Sequence, residues 1–397
     1  MIKKVIIKTA KADNSIEINT LNDFISAINE QTKDCRLYHE VINQFIEKIK
    51  NRKETKEKDW EYYSSTFLMQ ECKAIYYAFS KLIDNTSRDK KEELIHLYKN
   101  ILDTINTYYK DNESILDQIE KLSEKSIEVI LNHTSKDSGR PLQVYYRGEA
   151  SVSWKALPSV LRDQKNRMRE SFYYHEIQVR SPKDFDNQSF INKLVTMQHY
   201  ELPTRLLDIT SNPLNALYFA CESENEKQKD GRVTFFPILP GSMSYGDSDR
   251  ALILSCLPHL TDLEQFKLLE EIKYSNNRIY NGTSITPYLN KLLLEIRAEK
   301  PAFQPRIVLG DILSPLFVQP NMTNPRIANQ QGAFLLSGLS DNPNEAEEKI
   351  KSRMAKTHLI IPASKKDSIL DELDAIGINQ ATIYPNLDKI AGYLKNL

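Results

Sequence analysis

The chain has 397 residues, and its 53 basic and 54 acidic side chains give a formal net charge of −1. At roughly 150 residues per domain, this length allows two or three domains. Hydrophobic residues make up 40% and charged residues 27%, which is a globular composition and excludes wholesale disorder. The near-zero net charge excludes a protein that covers nucleic acid through an overall basic surface. Four cysteines without a C-x-x-C pair give no support to a disulfide framework or a zinc ribbon.

The sequence carries no signal for a membrane or for export. The apolar run near the N-terminus is too short for the core of a signal peptide. No stretch approaches the roughly 18 apolar residues that a membrane span requires. We therefore expect a cytoplasmic protein with no membrane partner.

Local patterns divide the chain into three parts. Residues 1–33 predict a strand at 3–9 and then a helix that begins at Leu21 and is capped by Asn19 or Thr20. Residues 34–139 are predicted to be a bundle of four or five helices, because apolar residues recur at helical spacing and positions 34–133 contain neither glycine nor proline. Residues 140–397 mix predicted strands and helices, so this part is predicted to be an α+β domain.

Within the α+β part, several local signals predict where elements begin and end. QVYYRGE, RVTFFPIL, LFVQP, GAFLLSG and THLIIPA are predicted strands. A helix is predicted over residues 189–200, and the link from there to Pro213 is predicted to be irregular. Asn212 caps the next helix with Pro213 at its first position, and Thr261 with Glu264 predicts a capping box. Gly377 is predicted to end a later helix.

The first segment that could carry chemistry is Tyr145–Glu149, which combines an arginine with aromatic residues on a predicted strand. Arg147 shares a strand face with Tyr145, and Gly148 allows another group to approach the backbone closely. An arginine beside an aromatic ring can bind a phosphate through two hydrogen bonds while the ring stacks on a base or a ribose. The alternative is an ion pair between Arg147 and a neighbouring carboxylate, and this segment alone favours that alternative.

The second segment, Met197–Pro213, mixes polar side chains with leucines between two predicted helices. Such polar groups are partly buried and need hydrogen-bond partners, and the helix that follows offers backbone N–H groups to an anion. The polar residues are Gln198, His199, Thr204, Arg205, Asp208 and Thr210. They form a ligand site, or they are architectural, with Arg205 paired to Asp208 and His199 bonded to a loop carbonyl. Both interpretations stay open at this point, because ion-pair networks perturb pKa values as active sites do.

The third segment, Pro325–Phe334, places the amides of Gln330 and Gln331 before a glycine and a predicted strand. Their side chains would hydrogen-bond an amide-bearing ligand, or they would hydrogen-bond the backbone of the loop itself.

The sequence motifs of dinucleotide folds, P-loops, zinc hydrolases and serine hydrolases are absent. The histidines have no second ligand at metal spacing, so no metal site is predicted. The acids around Glu222 and around Glu345 are interpreted as solvated surface.

Taken in order, these segments resemble the FRG domain, a family named for a phenylalanine-arginine-glycine start. Tyr146-Arg147-Gly148 is similar to that start, with tyrosine in the aromatic position. Residues 198–210, QHYELPTRLLDIT, are similar to the family's Q-H-x-G-x-x-T-R-L-L-D-x-T run, with Glu201 where glycine is usual. RIANQQGAF and the C-terminal segment also resemble the family, so the resemblance covers residues 140–397. SIEINTLNDFISAIN resembles the element that precedes the arginine strand, which makes 34–139 an insertion.

The resemblance implies a bacterial or phage-related protein of the toxin and antiviral-defence repertoire, with an arrangement similar to ADP-ribosyltransferase-like folds. On that analogy Arg147 holds a phosphate of NAD, and Tyr146 or His199 packs the nicotinamide ribose. Thr204 or Thr210 takes the place of the hydroxyl-bearing residue in the middle motif of those folds. Gln330 stands where a catalytic glutamate is often found.

The late segment departs from that analogy because positions 306–344 contain no glutamate. The amide of Gln330 can bond a ribose hydroxyl but cannot act as a general base. Either another acid, such as Asp208 or Glu149, takes that role, or the site binds a ligand without transferring it.

Three classes of function follow. In the first, the protein is a defence or toxin-type effector whose cleft binds a nucleotide, with NAD as substrate. Its catalytic candidates are Arg147, His199, Asp208 and Gln330, and its ligand-binding candidates are Tyr146, Gly148, Gln198, Thr204, Arg205 and Thr210. In the second, the motifs are architectural, and the helical region docks a protein or nucleic acid or holds a homo-oligomer. The third, a nuclease, is disfavoured because no carboxylate cluster for magnesium is visible.

Overall fold

The computed structural model describes residues 15–33, 143–238, 242–275, 279–282, 286–321 and 325–395. The strand predicted at 3–9 and the helical bundle predicted at 34–139 lie outside these described residues.

The described part of the chain is an α+β fold built on one mixed sheet, as the sequence predicted. Its strands are β1 (Ser15–Glu17), β2 (Gln143–Glu149), β3 (Leu206–Thr210), β4 (Gly231–Ile238), β5 (Ser244–Tyr245), β8 (Leu316–Gln319), β9 (Gly332–Leu336) and β10 (His358–Ile361). Their order is β1-β10-β4-β2-β3-β9-β8-β5. The two edge pairs, β1 with β10 and β5 with β8, are parallel, and the inner pairs are antiparallel. Two further strands, β6 (Ile279–Tyr280) and β7 (Ile307–Val308), pair separately.

Helices pack on both faces of the sheet. In chain order they are α1 (Leu21–Lys33), α2 (Ser159–Arg162), α3 (Gln164–Met168), α4 (Glu170–Arg180), α5 (Phe190–His199), α6 (Pro213–Cys221), α7 (Asp249–Ser255), α8 (Asp262–Tyr274), α9 (Pro287–Glu299), α10 (Leu309–Leu313), α11 (Pro325–Gln330), α12 (Pro343–Lys351), α13 (Lys366–Ala375), α14 (Gln380–Ile383) and α15 (Leu387–Lys395).

Successive residues of β2 point to opposite faces of the sheet, as the strand pleat requires. Tyr145 belongs to a core that includes residues of α2 and α12, and we call this side the α2 face. Tyr146 belongs to a core that includes residues of α6, and we call this side the α6 face. Helix α5 also packs on the α6 face, where its Leu194 shares a core with Leu206 of β3. Arg147 therefore follows Tyr145 on the α2 face, and Gly148 follows Tyr146 on the α6 face.

Strand β3 is central in the sheet, and our expectation of an irregular link over residues 201–212 was wrong. Leu206, Leu207 and Ile209 are all buried, because β3 is covered on both faces and lies between β2 and β9. A strand buried on both faces lacks the alternation of apolar and polar residues that marks a half-exposed strand. The segment Pro325–Gln330, which we interpreted as a loop, forms the short helix α11.

The predicted helix boundaries with explicit capping chemistry are confirmed. Thr20 accepts a hydrogen bond from the backbone of Asp23, and Asn212 accepts one from Leu214 at the start of α6. Thr261 and Glu264 form the capping box at the start of α8. Gly377 follows α13 with a φ of +83°, the left-handed conformation that ends helices.

Candidate functional site

The last turn of α5 carries Gln198 and His199 and ends in a Schellman motif. The N–H of Leu202 donates to the carbonyl of Met197 at 3.0 Å, and the N–H of Glu201 donates to that of Gln198 at 3.0 Å. Glu201 has a φ of +62°, in the left-handed region. Glycine adopts this conformation without a Cβ penalty, which explains why glycine is usual at this place of the resembled motif.

Replacing Glu201 with glycine is therefore expected to stabilise the protein. Glu201→Gly removes the Cβ that a left-handed backbone disfavours, and part of that gain is offset by a more flexible unfolded chain. We expect the free energy of unfolding to rise by about 0.5–1 kcal/mol in urea titration. Glu201→Ala keeps the Cβ and should give no such gain. A Glu201→Gly protein less stable than wild type would contradict this account.

Thr204, Gln198 and Asp208 form a chain of side-chain hydrogen bonds, which we call the relay. The Thr204 hydroxyl accepts from the backbone N–H of Leu206 at 3.2 Å and donates to Oε1 of Gln198. Nε2 of Gln198 then donates to Oδ1 of Asp208 at 2.7 Å. Because a carboxylate can only accept, the Gln198 amide turns its NH2 group to Asp208 and its Oε1 to Thr204, so the Thr204 proton points to Gln198. The relay thus presents Asp208, an exposed residue, as an oriented hydrogen-bond acceptor.

Arg147 joins this region to a group of positive charges. Its Nε donates to Oε1 of Glu149 at 3.2 Å, and its Nη1 donates to the backbone carbonyl of Asp208 at 2.8 Å. Arg232 donates from Nε to the other oxygen of Glu149 at 3.0 Å. Arg162 lies within electrostatic range of Arg147, Glu149 and Asp208. Glu149 is fully buried, so two guanidinium groups share one buried carboxylate, and the ion pair between Arg147 and a neighbouring carboxylate is formed.

Arg205 lies apart from this group and pairs with a carboxylate that the sequence did not indicate. Its Nε donates to Oε1 of Glu170 at 2.9 Å, and its Nη2 bonds the second oxygen of the same carboxylate. Nη1 donates to the carbonyl of Ser337 at 3.1 Å, and Gln265 closes the network. The ion pair between Arg205 and Asp208 that we considered is not formed. Arg205 is 2% exposed, so its contacts are with the core.

Tyr146 and Gly148 point to the α6 face, away from Arg147. The Tyr146 ring packs edge-on against Phe235, with ring centroids 5.5 Å apart. Gly148 lies directly beneath α6, where a Cβ would come 1.8 Å from the carbonyl oxygen of Ala216. The structure therefore gives both residues packing contacts with the sheet and α6.

Thr210 and Gln330 connect three segments through their polar groups. The Thr210 hydroxyl donates to the backbone carbonyl of Gln330 at 2.7 Å. The side-chain amide of Gln330 donates to the carbonyl of Ile383 at 3.4 Å. These bonds tie the end of β3 to α11, and α11 to α14.

His199 lies in a second polar group, centred on Glu222, that sequence reasoning missed. Tyr384 donates from its hydroxyl to Oε1 of Glu222 at 2.6 Å, and Tyr218 also hydrogen-bonds this carboxyl. The guanidinium of Arg326 lies 4.8 Å from the centre of the Tyr384 ring. Burial raises the pKa of Glu222 to about 7, so our interpretation of it as solvated surface was wrong.

Arg326 connects His199 with this group electrostatically. Burial and then the charge of Arg326 lower the pKa of His199, while a hydrogen bond with Asn386 opposes that change. His199 is therefore neutral near pH 7. The sequence feature that could have indicated this group is the spacing of Tyr218 and Glu222, which lie four residues apart on one face of α6 and its C-cap.

A family model described as the FRG domain matches residues 142–229. This match supports FRG family membership, and it covers β2, the relay, β3 and α6. The chain has no significant match among curated proteins or among solved structures.

Within the described ranges, no helix is long and apolar enough to cross a membrane. The same residues contain no cluster of three or more histidine, cysteine, aspartate or glutamate side chains arranged to hold a metal ion.

Proposed function

We propose that this domain binds a phosphate-bearing nucleotide, with NAD as the first candidate, and cleaves or transfers it at the nicotinamide glycosidic bond. One observation carries the proposal: Arg147 and Arg232 bond the buried carboxylate of Glu149, and Arg162 lies within electrostatic range of it. Arg147 also bonds the backbone carbonyl of Asp208, the residue whose side chain the relay orients. Excess guanidinium charge suits a phosphate, which arginine binds through two hydrogen bonds. Arg147 is the proposed phosphate ligand.

The proposed chemistry assigns Asp208 to the developing positive charge. When the glycosidic C–N bond breaks, its electron pair leaves with nicotinamide, and the ribose carbon becomes electron-poor. An oriented carboxylate stabilises that charge without reorganising, which is the main electrostatic contribution in such reactions. Water or an acceptor hydroxyl then forms the new C–O bond, and its proton passes to His199, which is neutral near pH 7 and can accept it.

The biological setting that we propose rests on the resemblance to the FRG family. It is an effector of the toxin or antiviral-defence type that acts in the bacterial cytoplasm. Its target would be a protein or a nucleic acid, and residues 34–139 would recognise that target or hold a homo-oligomer.

Nicotinamide release from NAD tests the proposal, with Asp208→Asn as the informative variant. The asparagine oxygen still accepts from Gln198, so the fold is retained while the negative charge is lost. We expect release to fall by about 100-fold, the usual effect of removing one electrostatic contact to a transition state. Asp371→Asn, on the exposed side of α13, is the matched control and should match wild type.

Two outcomes would count against the proposal. Equal release by wild type and Asp208→Asn would remove Asp208 from the reaction. No release by wild type, with and without nucleic acid, together with no NAD or ADP-ribose binding by calorimetry, would overturn the nucleotide site itself.

A non-catalytic binding module is the second candidate, and the environment of the motif residues favours it in part. Arg205 pairs with Glu170 in the core, and Tyr146 and Gly148 pack under α6. If the whole motif is architectural, Asp208→Asn should leave every ligand interaction unchanged. The helical region would then carry the binding function.

A further inference from the structure

The C-terminal residues 379–395, comprising α14 and α15, form a segment that polar contacts attach to the rest of the molecule. Asn329 donates from its side chain to the carbonyl of Thr382 at 2.9 Å, and Gln330 donates to that of Ile383. Ile383 is buried in the core of the α6 face. Helix α15, in contrast, has no buried residue among its nine. Segments with few buried apolar contacts open at low free-energy cost.

The segment has two polar anchors, at Asp374 of α13 and at Glu222, the residue that follows α6. Oδ1 of Asp374 accepts from the Asn379 side chain and from the Tyr393 hydroxyl, both at 2.7 Å. The Tyr384 hydroxyl donates to the Glu222 carboxyl at 2.6 Å, and the Arg326 guanidinium lies over the Tyr384 ring at 4.8 Å. One carboxyl therefore joins the C-terminal segment to α6, and one arginine joins it to α11. Losing the contact between Tyr384 and Glu222 would leave the bond from Tyr393 to Asp374 as the hydrogen bond that holds α15 to α13.

The segment also reaches the candidate site. The Asn386 side chain interacts with His199, in the last turn of α5, and raises the pKa of that imidazole. His199 is next in sequence to Gln198, which orients Asp208. The C-terminal segment thus contacts the helix end that supports the relay.

We propose that residues 379–395 are a strap across the α5 side of the candidate site, and that Glu222 is a protonation-dependent clasp that holds the strap closed. The clasp rests on these contacts and on the partial burial of the Glu222 carboxyl. Its effect on ligand access rests on the proposed function.

The pH dependence follows from the groups that face Glu222. Burial raises its pKa from 4.5 to about 7, against hydrogen bonds from Tyr384 and Tyr218 and the charges of Arg326 and Lys389. Tyr218 lies in α6, Arg326 in α11, Tyr384 directly after α14 and Lys389 in α15. The charge of Asp374 in α13 raises the pKa of Tyr218.

The strap is expected to open more readily at higher pH. The closed state holds a proton on Glu222 up to a pKa of about 7, whereas in the open state the solvated carboxyl returns towards 4.5. Between these values the closed state binds more protons, so its stability falls as pH rises, and the loss is complete above about pH 7. The opening constant of the strap should therefore rise by up to about 100-fold from pH 4.5 to pH 8.

Hydrogen exchange of the amides in residues 380–395 measures that constant directly, without any ligand. After correction for intrinsic exchange rates, wild type should lose protection as pH rises, while the amides of α9 in the same sample keep theirs. Glu222→Gln stays neutral and can still bond Tyr384, so its strap should show constant protection over the same range. Tyr384→Phe removes the clasp bond and should lower protection at pH 5, where the wild-type clasp is closed.

Two results would overturn the clasp: wild-type protection that is independent of pH, or an unchanged pH dependence in Glu222→Gln. The wild-type series needs no variant, so it decides even if a variant fails to fold. Because the readout uses no nucleotide, a failure of the NAD experiment would leave the clasp standing.

Discussion

Glu170→Ala is expected to lower the free energy of unfolding by about 3–5 kcal/mol, because it leaves the Arg205 guanidinium buried without its carboxylate. Both partners are almost fully excluded from solvent, at 2% and 4% side-chain exposure. The remaining partners of the guanidinium, the Ser337 carbonyl and the Gln265 amide, are neutral and do not balance its charge. Urea titration followed by circular dichroism gives the change.

An exposed ion pair provides the matched control. Arg180 and Glu176 form an i,i+4 pair on α4, the helix that begins with Glu170, but their side chains are 73% and 35% exposed. Glu176→Ala should change stability by less than about 0.5 kcal/mol. If the two alanine variants proved equally stable, the buried pair would not be the anchor that its geometry indicates.

Replacing both partners tests the mechanism further. Exchanging a buried ion pair for apolar side chains of similar volume is often neutral or stabilising, because neither charge then has to be desolvated. Arg205→Met combined with Glu170→Leu should therefore recover much of the stability that either single alanine variant loses. The same double variant separates fold from chemistry, since a folded protein without Arg205 shows directly whether nicotinamide release depends on this motif residue.

Local chemistry in the sequence predicted the boundaries of elements well, because caps act over three or four residues. The side chains of Thr20, Asn212 and Thr261 each bond a backbone N–H two or three residues ahead. Such bonds can be inferred from residues that are close in the sequence. The α+β class followed in the same way, from strands and helices that alternate after residue 140.

The partners of the polar motif residues could not be predicted, because they lie far along the chain. Glu170 is 35 positions from Arg205, and Tyr384 is 162 positions from Glu222. Spacing rules carry no information over such separations, so Asp208 was the nearest plausible partner for Arg205. Glu222 was likewise interpreted as surface, because the tyrosine that shields it belongs to another segment.

The strand register also separated residues that are adjacent in sequence. Tyr146, Arg147 and Gly148 were grouped as one site, yet the pleat sends Tyr146 and Gly148 to the α6 face and Arg147 to the other. On the α6 face the two residues contact packed side chains and backbone. The first motif thus combines a packing requirement on one face with a charged group on the other.

Gly148→Ala is accordingly expected to destabilise the fold by about 3 kcal/mol, the upper end for overpacking a close contact. The added Cβ would lie 1.8 Å from the Ala216 carbonyl oxygen and 2.9 Å from the Ala220 nitrogen, both on the backbone of α6. Backbone atoms cannot rotate aside, so the helix itself must move away from β2. Thermal and urea unfolding of the variant measure the cost.

Gly332 offers a matched strand glycine on the same sheet. A Cβ built there would have its nearest neighbour at 3.5 Å, an ordinary contact, so Gly332→Ala should stay close to wild type. Ala216→Gly combined with Gly148→Ala should give no rescue, because the clash involves the carbonyl of residue 216 and not its methyl group. Rescue by that second substitution would contradict the backbone contact. Displacement of α6 would also move Glu222 away from Tyr384, so Gly148→Ala should weaken the protection of residues 380–395 even at pH 5.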